Sequence, residues 1–143
     1  MSFERYFMKA YLMIVVLLYS SALFAETQTE NMIVHDKYCS SPEQTMDEVF
    51  ENGALTNCVY AGLSIADAYK KYVNEHDEDY LVKTIKVNNN IQKEYTKDEV
   101  SVDYKWENPK KLMIEQQFSG GFTEFVLEED QKGTKITIIG HPD

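Results

Sequence analysis

The sequence predicts an α+β domain in which two N-terminal helices pack on a four- to five-stranded antiparallel meander. Three observations carry that expectation. Apolar residues recur at helical spacing over 42–73, they alternate with polar ones from Val100 onward, and short turn signals separate the alternating stretches. The length, 143 residues, favours one small domain.

Residues 1–25 read as a cleavable export signal: Arg5 and Lys9 near the start, an apolar run from Ala10 to Tyr19, then small residues ending at Ala22 or Ala25. Ala25 is the preferred last residue, because the polar Glu26-Thr27-Gln28-Thr29-Glu30 follows it. The apolar run falls short of the roughly 20 residues that a membrane span needs, so no stable anchor is expected after cleavage. Residues 26–40 are expected to be a flexible N-terminal segment in which Met32-Ile33-Val34 can dock one short strand. A single α+β domain is expected over 41–143.

The first helix is expected over 42–52, with Ser41 as cap, Pro42 at the first helical position, Gln44 as the reciprocal partner and Gly53 as the stop. A second and longer helix is expected from about Leu55 to Val73, where Leu55, Cys58, Val59, Gly62, Ile65, Ala66, Tyr69 and Val73 form one stripe. Acids break the pattern at 74–79. Residues 80–96 fit strand or helix, with Leu81, Ile85 and Val87 favouring strand, and Asn88-Asn89-Asn90 marks a turn. Val100, Val102, Tyr104 and Trp106 then alternate with polar residues as a half-buried strand. Further strands follow over 112–118, 122–128 and 134–139, joined by tight turns, and the second helix is the natural lid for their apolar face.

Charge narrows the range of partners. The chain carries 14 Lys plus Arg against 24 Asp plus Glu, and removing residues 1–25 takes away two basic residues and one acid, leaving 12 against 23, or −11. Arg5 is the only arginine, so the mature part has no planar fork for phosphate or guanine. Nucleic acid and anionic lipid surfaces are excluded as primary partners. A basic protein, such as a toxin or a cell-wall hydrolase, is favoured through long-range attraction that salt weakens.

Cys39 and Cys58 are the only cysteines, and an oxidising compartment would join them into a structural disulfide stabilising the fold by about 3 kcal/mol. Spaced 19 apart, they do not resemble a zinc site, and their spacing is not that of a redox pair. His35, His76 and His141 belong to no spaced cluster and are expected to be exposed. Catalytic elbows, zinc-protease signatures and phosphate loops are lacking, and Ser119-Gly120-Gly121 reads as a plain hairpin turn. Neither catalytic residues, a metal nor a cofactor is expected. The aromatic residues offer anchors for a partner, with Trp106 and Phe125 as the less buried candidates beside the acids Glu75, Asp77, Glu78 and Asp79.

The stretch Asn57-Cys58-Val59-Tyr60-Ala61-Gly62-Leu63-Ser64-Ile65-Ala66-Asp67-Ala68-Tyr69 resembles the helix of small periplasmic immunity proteins of type VI secretion systems, in which Cys, Tyr, Gly and Asp recur in a comparable order. The resemblance covers 13 residues. It implies a protein that plugs a toxin exported into the same compartment, and a Cys39–Cys58 bond would suit it.

The reading that results is an exported, periplasmic or secreted, non-catalytic binding protein, most concretely an inhibitor or immunity protein that engages a basic partner through an acidic and aromatic surface. The alternative is a small carrier holding an apolar ligand between helix and sheet. An enzyme working with carboxylates alone is the third reading, and it needs two acids facing each other in a cleft.

Overall fold

The computed structural model describes residues 31–143, and the expected signal segment at 1–25 lies outside them. The elements run β1 (Met32–Val34), β2 (Cys39–Pro42), α1 (Met46–Asn52), β3 (Ala54–Ala61), α2 (Ile65–His76), β4 (Ile91–Tyr95), β5 (Val100–Asn108), β6 (Lys111–Phe118), β7 (Gly121–Asp130) and β8 (Gly133–Pro142). All eight strands join one antiparallel sheet in the order β1-β2-β3-β8-β7-β6-β5-β4.

This corrects the expected architecture of two helices on a four- to five-stranded meander. The α+β class holds in its coarse sense, and strands β5 to β8 lie where alternation places them. The error sits at 54–61, expected to be the first half of a long helix. Leu55, Cys58 and Val59 fit a helical stripe, but the same residues also fit period two, with Cys58 and Tyr60 inward and Val59 outward. Pairing decides between them. β3 aligns with β8 over eight consecutive positions, from Ala54↔Gly140 to Ala61↔Gly133, a set of ladder bonds that no local helix could replace.

The second helix therefore begins only at Ile65. Ser64 caps it by accepting from the Asp67 amide, and Ile65, Ala68, Tyr69, Tyr72 and Val73 supply a buried stripe at i, i+3, i+4, i+7 and i+8. The first helix also starts later than expected, at Met46. Thr45 is its cap, with Glu48 completing a capping box, while Gly53 at φ 84° ends it as foreseen. Gln44 is not a cap partner. Its amide donates to the Gly53 carbonyl and its oxygen accepts from the Leu55 amide, closing the loop around α1.

The sheet also begins before position 41. Residues 32–34 and 39–42 pair as β1 and β2, so much of the segment expected to be flexible is part of the sheet. Residues 81–87 are neither strand nor helix. Leu81 and Ile85 dip into the core from an irregular loop while Val87 stays exposed, and strand resumes only at Ile91. Asn88 takes φ 60°, as an asparagine turn allows.

One face of the sheet is covered and the other is wet. The register lines up Leu112, Leu127, Ile136, Cys58 and Cys39 across five strands, and Tyr104, Ile114, Phe125 and Ile138 in the next row. Helix α2 lies over these rows, with Tyr69 edge-on to Tyr104 and Tyr72 edge-on to Phe125. Across this interface Ala68, Tyr69, Val102, Tyr104, Leu112, Ile114, Leu127 and Ile136 each keep at most 1% of their surface, so side chains fill the space between helix and sheet. A carrier site at that place is not supported.

Candidate functional site

The wet face of the sheet is built by the same alternation that fills the core. Asp103, Glu115 and Glu124 point away from α2, and they fall directly opposite one another on β5, β6 and β7, as Asp103↔Glu115 and Glu115↔Glu124. Three carboxylates thus stand in one cross-strand row. Like charges so placed oppose folding by a few tenths to about 1 kcal/mol per pair. No lysine stands in that row, which continues as Ile139 and Leu55 on β8 and β3.

The next row carries Lys105, Met113, Val126 and Thr137. Asp103, Glu107, Glu115 and Glu124 line a depression of about 220 Å³ together with Lys105 and Met113, so four carboxylates there stand against one resident lysine. Beyond Glu107, Lys111 is shared between the carboxylates of Glu107 (3.3 Å) and Glu128 (3.7 Å). Glu124 meets the ring of His141 at 3.1 Å, and that ring stacks on Phe122 with centroids 4.3 Å apart. Acids in excess of one lysine, an aromatic pair and the apolar side chain of Met113 therefore occur together on one face.

The structure redistributes the residues expected to bind a partner. Phe125 is 2% exposed and belongs to the core, so it is removed from the candidate surface; the aromatic residue on the wet face of β7 is Phe122. The parity of β7 had put Phe122 and Val126 on one face and Phe125 and Leu127 on the other, and the helix covers the second. Trp106 lies half-buried against the core near the end of β5. Of the four acids around the end of α2, Glu75 pairs with Lys71 at 2.9 Å and Glu78 accepts from the Tyr72 hydroxyl at 3.1 Å. Burial pushes the Glu78 carboxyl above the usual range, against the pull of the Tyr72 hydrogen bond. Asp77, which ends the helix at φ 48°, and Asp79 face solvent.

The expected disulfide is present. Cys39 and Cys58 face each other across β2 and β3, bonded at 2.01 Å. His76 and His141 are half-buried and engaged, not freely exposed, while His35 is exposed. The Nδ1 of His76 faces the Tyr72 carbonyl at 2.9 Å, one of the carbonyls that the end of a helix leaves open, and its Nε2 faces Asp36 Oδ2 at 3.0 Å. Asp36 Oδ1 accepts from the amides of Tyr38 and Cys39, and these bonds hold its carboxyl below the usual range with help from His76. Nε2 also lies 3.8 Å from Cys39 Sγ. A catalytic relay needs the two imidazole nitrogens on different partners, one on the nucleophile and one on the acid. Here a single nitrogen faces both.

Comparison with protein-family models, with curated proteins and with solved structures finds no match. The class is therefore stated from the structure itself: a disulfide-braced antiparallel sheet covered on one face by a single amphipathic helix. The bond fits an oxidising compartment, and among the described residues no helix is long and apolar enough to cross a membrane.

Proposed function

We propose that the chain is an exported, periplasmic or secreted, non-catalytic binding protein that engages a basic protein partner through the wet face of its sheet. The observation that carries this reading is the Asp103–Glu115–Glu124 row. Cross-strand repulsion there works against folding, whereas a cationic side chain entering the 220 Å³ depression would neutralise the carboxylates and lay its alkyl stem along Met113. The stacked Phe122 and His141 supply an aromatic anchor at one end of the row. An inhibitor or immunity role is the most concrete form, with a toxin or a cell-wall hydrolase as the basic partner. The resemblance around Cys58 to Tyr69 favours that form, although this segment spans the end of β3, a turn and the start of α2 rather than one helix.

The test is capture of basic proteins from a periplasmic extract at low and at high salt, comparing the native chain with the triple variant Asp103→Asn, Glu115→Gln, Glu124→Gln. Capture that salt weakens and the triple variant loses supports the reading. Capture indifferent to both removes it.

A further inference from the structure

Among the described residues, Asp36, Cys39 and His76 are the one group of three metal-ligating side chains whose donor atoms all lie within 4.8 Å of one another. Asp36 and Cys39 are three residues apart, His76 lies thirty-seven residues beyond Cys39, and the fold brings them together where the end of α2 meets the start of β2, one strand in from the sheet edge. Both nitrogens of His76 face oxygen acceptors, the Tyr72 carbonyl and the Asp36 carboxylate. Two lone pairs 3.0 Å apart repel, so a positive centre, a proton or a metal ion, belongs between Nε2 and Oδ2.

The surroundings are those of a metal ligand set. A histidine that binds metal through Nε2 commonly anchors its Nδ1–H on a carbonyl or carboxylate, as His76 does on Tyr72. Asp36 is fixed through Oδ1 by two backbone amides, which leaves Oδ2 to face His76 Nε2. Tetrahedral zinc with ordinary bond lengths has a nitrogen–sulfur edge of about 3.5 Å and a nitrogen–oxygen edge of about 3.3 Å. The corresponding separations are 3.8 Å from Nε2 to Cys39 Sγ and 3.0 Å from Nε2 to Asp36 Oδ2. The missing ingredient is charge on sulfur, because a cystine sulfur is a poor ligand and a thiolate a strong one.

We propose that the Cys39–Cys58 bond masks a zinc-class site, and that its reduction by a dithiol creates a ligand set of Asp36, Cys39 and His76, with water in the fourth position. In that step the dithiol supplies two electrons and two protons and leaves as its own disulfide, while the cystine becomes two thiols. The metal then displaces the proton of Cys39 and takes the place of whatever proton lies between His76 Nε2 and Asp36 Oδ2. Reductant reaches the buried bond by local opening of β2, which lies one strand in from the edge and is held to β3 at only two register positions.

Cobalt(II) tests this directly, since thiolate ligation gives a near-ultraviolet charge-transfer band and four-coordination gives visible bands. The purified protein is titrated in three forms: oxidised, reduced with a water-soluble phosphine that adds no competing thiol, and as Cys58→Ser, which frees Cys39 without reductant. One cobalt per chain with the charge-transfer band is expected in the last two forms and not in the first. Adding His76→Ala or Asp36→Asn to Cys58→Ser should weaken binding by at least about tenfold. Absence of the band from both thiol forms, or binding unchanged by the His76 and Asp36 variants, overturns the proposal. Where loss of the disulfide unfolds the chain, zinc must restore its circular dichroism, because metal binding is then folding free energy. A chain that stays unfolded with zinc also overturns it.

Discussion

The hydroxyl of Tyr104 lies 3.0 Å from the hydroxyl of Tyr69, and both are tied to Val82: Tyr69 donates to its carbonyl at 2.6 Å, and Tyr104 accepts from its amide at 2.9 Å. Strand β5, helix α2 and the irregular loop before β4 are thereby joined at one buried point. Burial and the Tyr104 hydrogen bond push the Tyr69 hydroxyl far above the ordinary phenol range, so it acts as a neutral donor.

Tyr104→Phe strips the Val82 amide of its partner and should destabilise the protein by about 1–3 kcal/mol, the range for an orphaned buried donor. Denaturant unfolding measures the loss, and hydrogen exchange should show the Val82 amide and its neighbours losing protection before the sheet does. An effect spread evenly over the sheet would mean that the triangle does not anchor the loop.

Asp36 sets an acid limb of stability. Its folded carboxyl titrates below its ordinary value of 3.8, first through the Tyr38 and Cys39 amides and then through His76. A depressed acid contributes stability that is present above the unfolded value and lost as pH falls through the folded one. Melting temperature should therefore drop on acidification from about pH 5 toward pH 3, and Asp36→Asn should flatten that drop by lowering the neutral value while leaving the acid value nearly unchanged.

Glu78 has the opposite sign. Burial raises its folded carboxyl above its ordinary value of 4.5, so the stability linked to its protonated form is present at low pH and lost as pH rises through the folded value. Glu78→Gln keeps an oxygen for the Tyr72 hydroxyl and removes the charge. The variant should melt higher than the native chain at pH 7, with the difference closing toward pH 4.

Glu115 stands between two carboxylates of its own row and makes its one side-chain hydrogen bond with Gln117, at 2.9 Å. Glu115→Gln should raise stability by roughly 0.3–1 kcal/mol by removing two like-charge neighbours. The same variant should weaken capture of the basic partner, so stability and binding move in opposite directions. If both fall together, the row is a structural device rather than a binding one.

How much of this was legible in the sequence follows from which interactions are local. The two-residue turn Ser119-Gly120 fixes Phe118↔Gly121, and counting back from it places Glu115 opposite Glu124. That half of the acid row could have been read from the hairpin alone. The choice of Phe125 over Phe122 could not, because alternation separates two faces without saying which one a helix covers. The strand at 54–61 was hidden for a related reason. Its partner β8 lies some eighty residues away, and only that pairing separates period two from a helical stripe in ALTNCVYA. His76 meets Asp36 and Cys39 across forty and thirty-seven residues, so neither spacing nor composition announces the cluster.

The most direct measurement is zero-length carbodiimide cross-linking of the protein to its captured basic partner, with the joined carboxylates mapped by mass spectrometry. Cross-links from Asp103, Glu115 and Glu124 to partner lysines are the predicted result. Cross-links confined to Glu75, Asp77 and Asp79 at the end of α2, with the sheet face untouched, would contradict it.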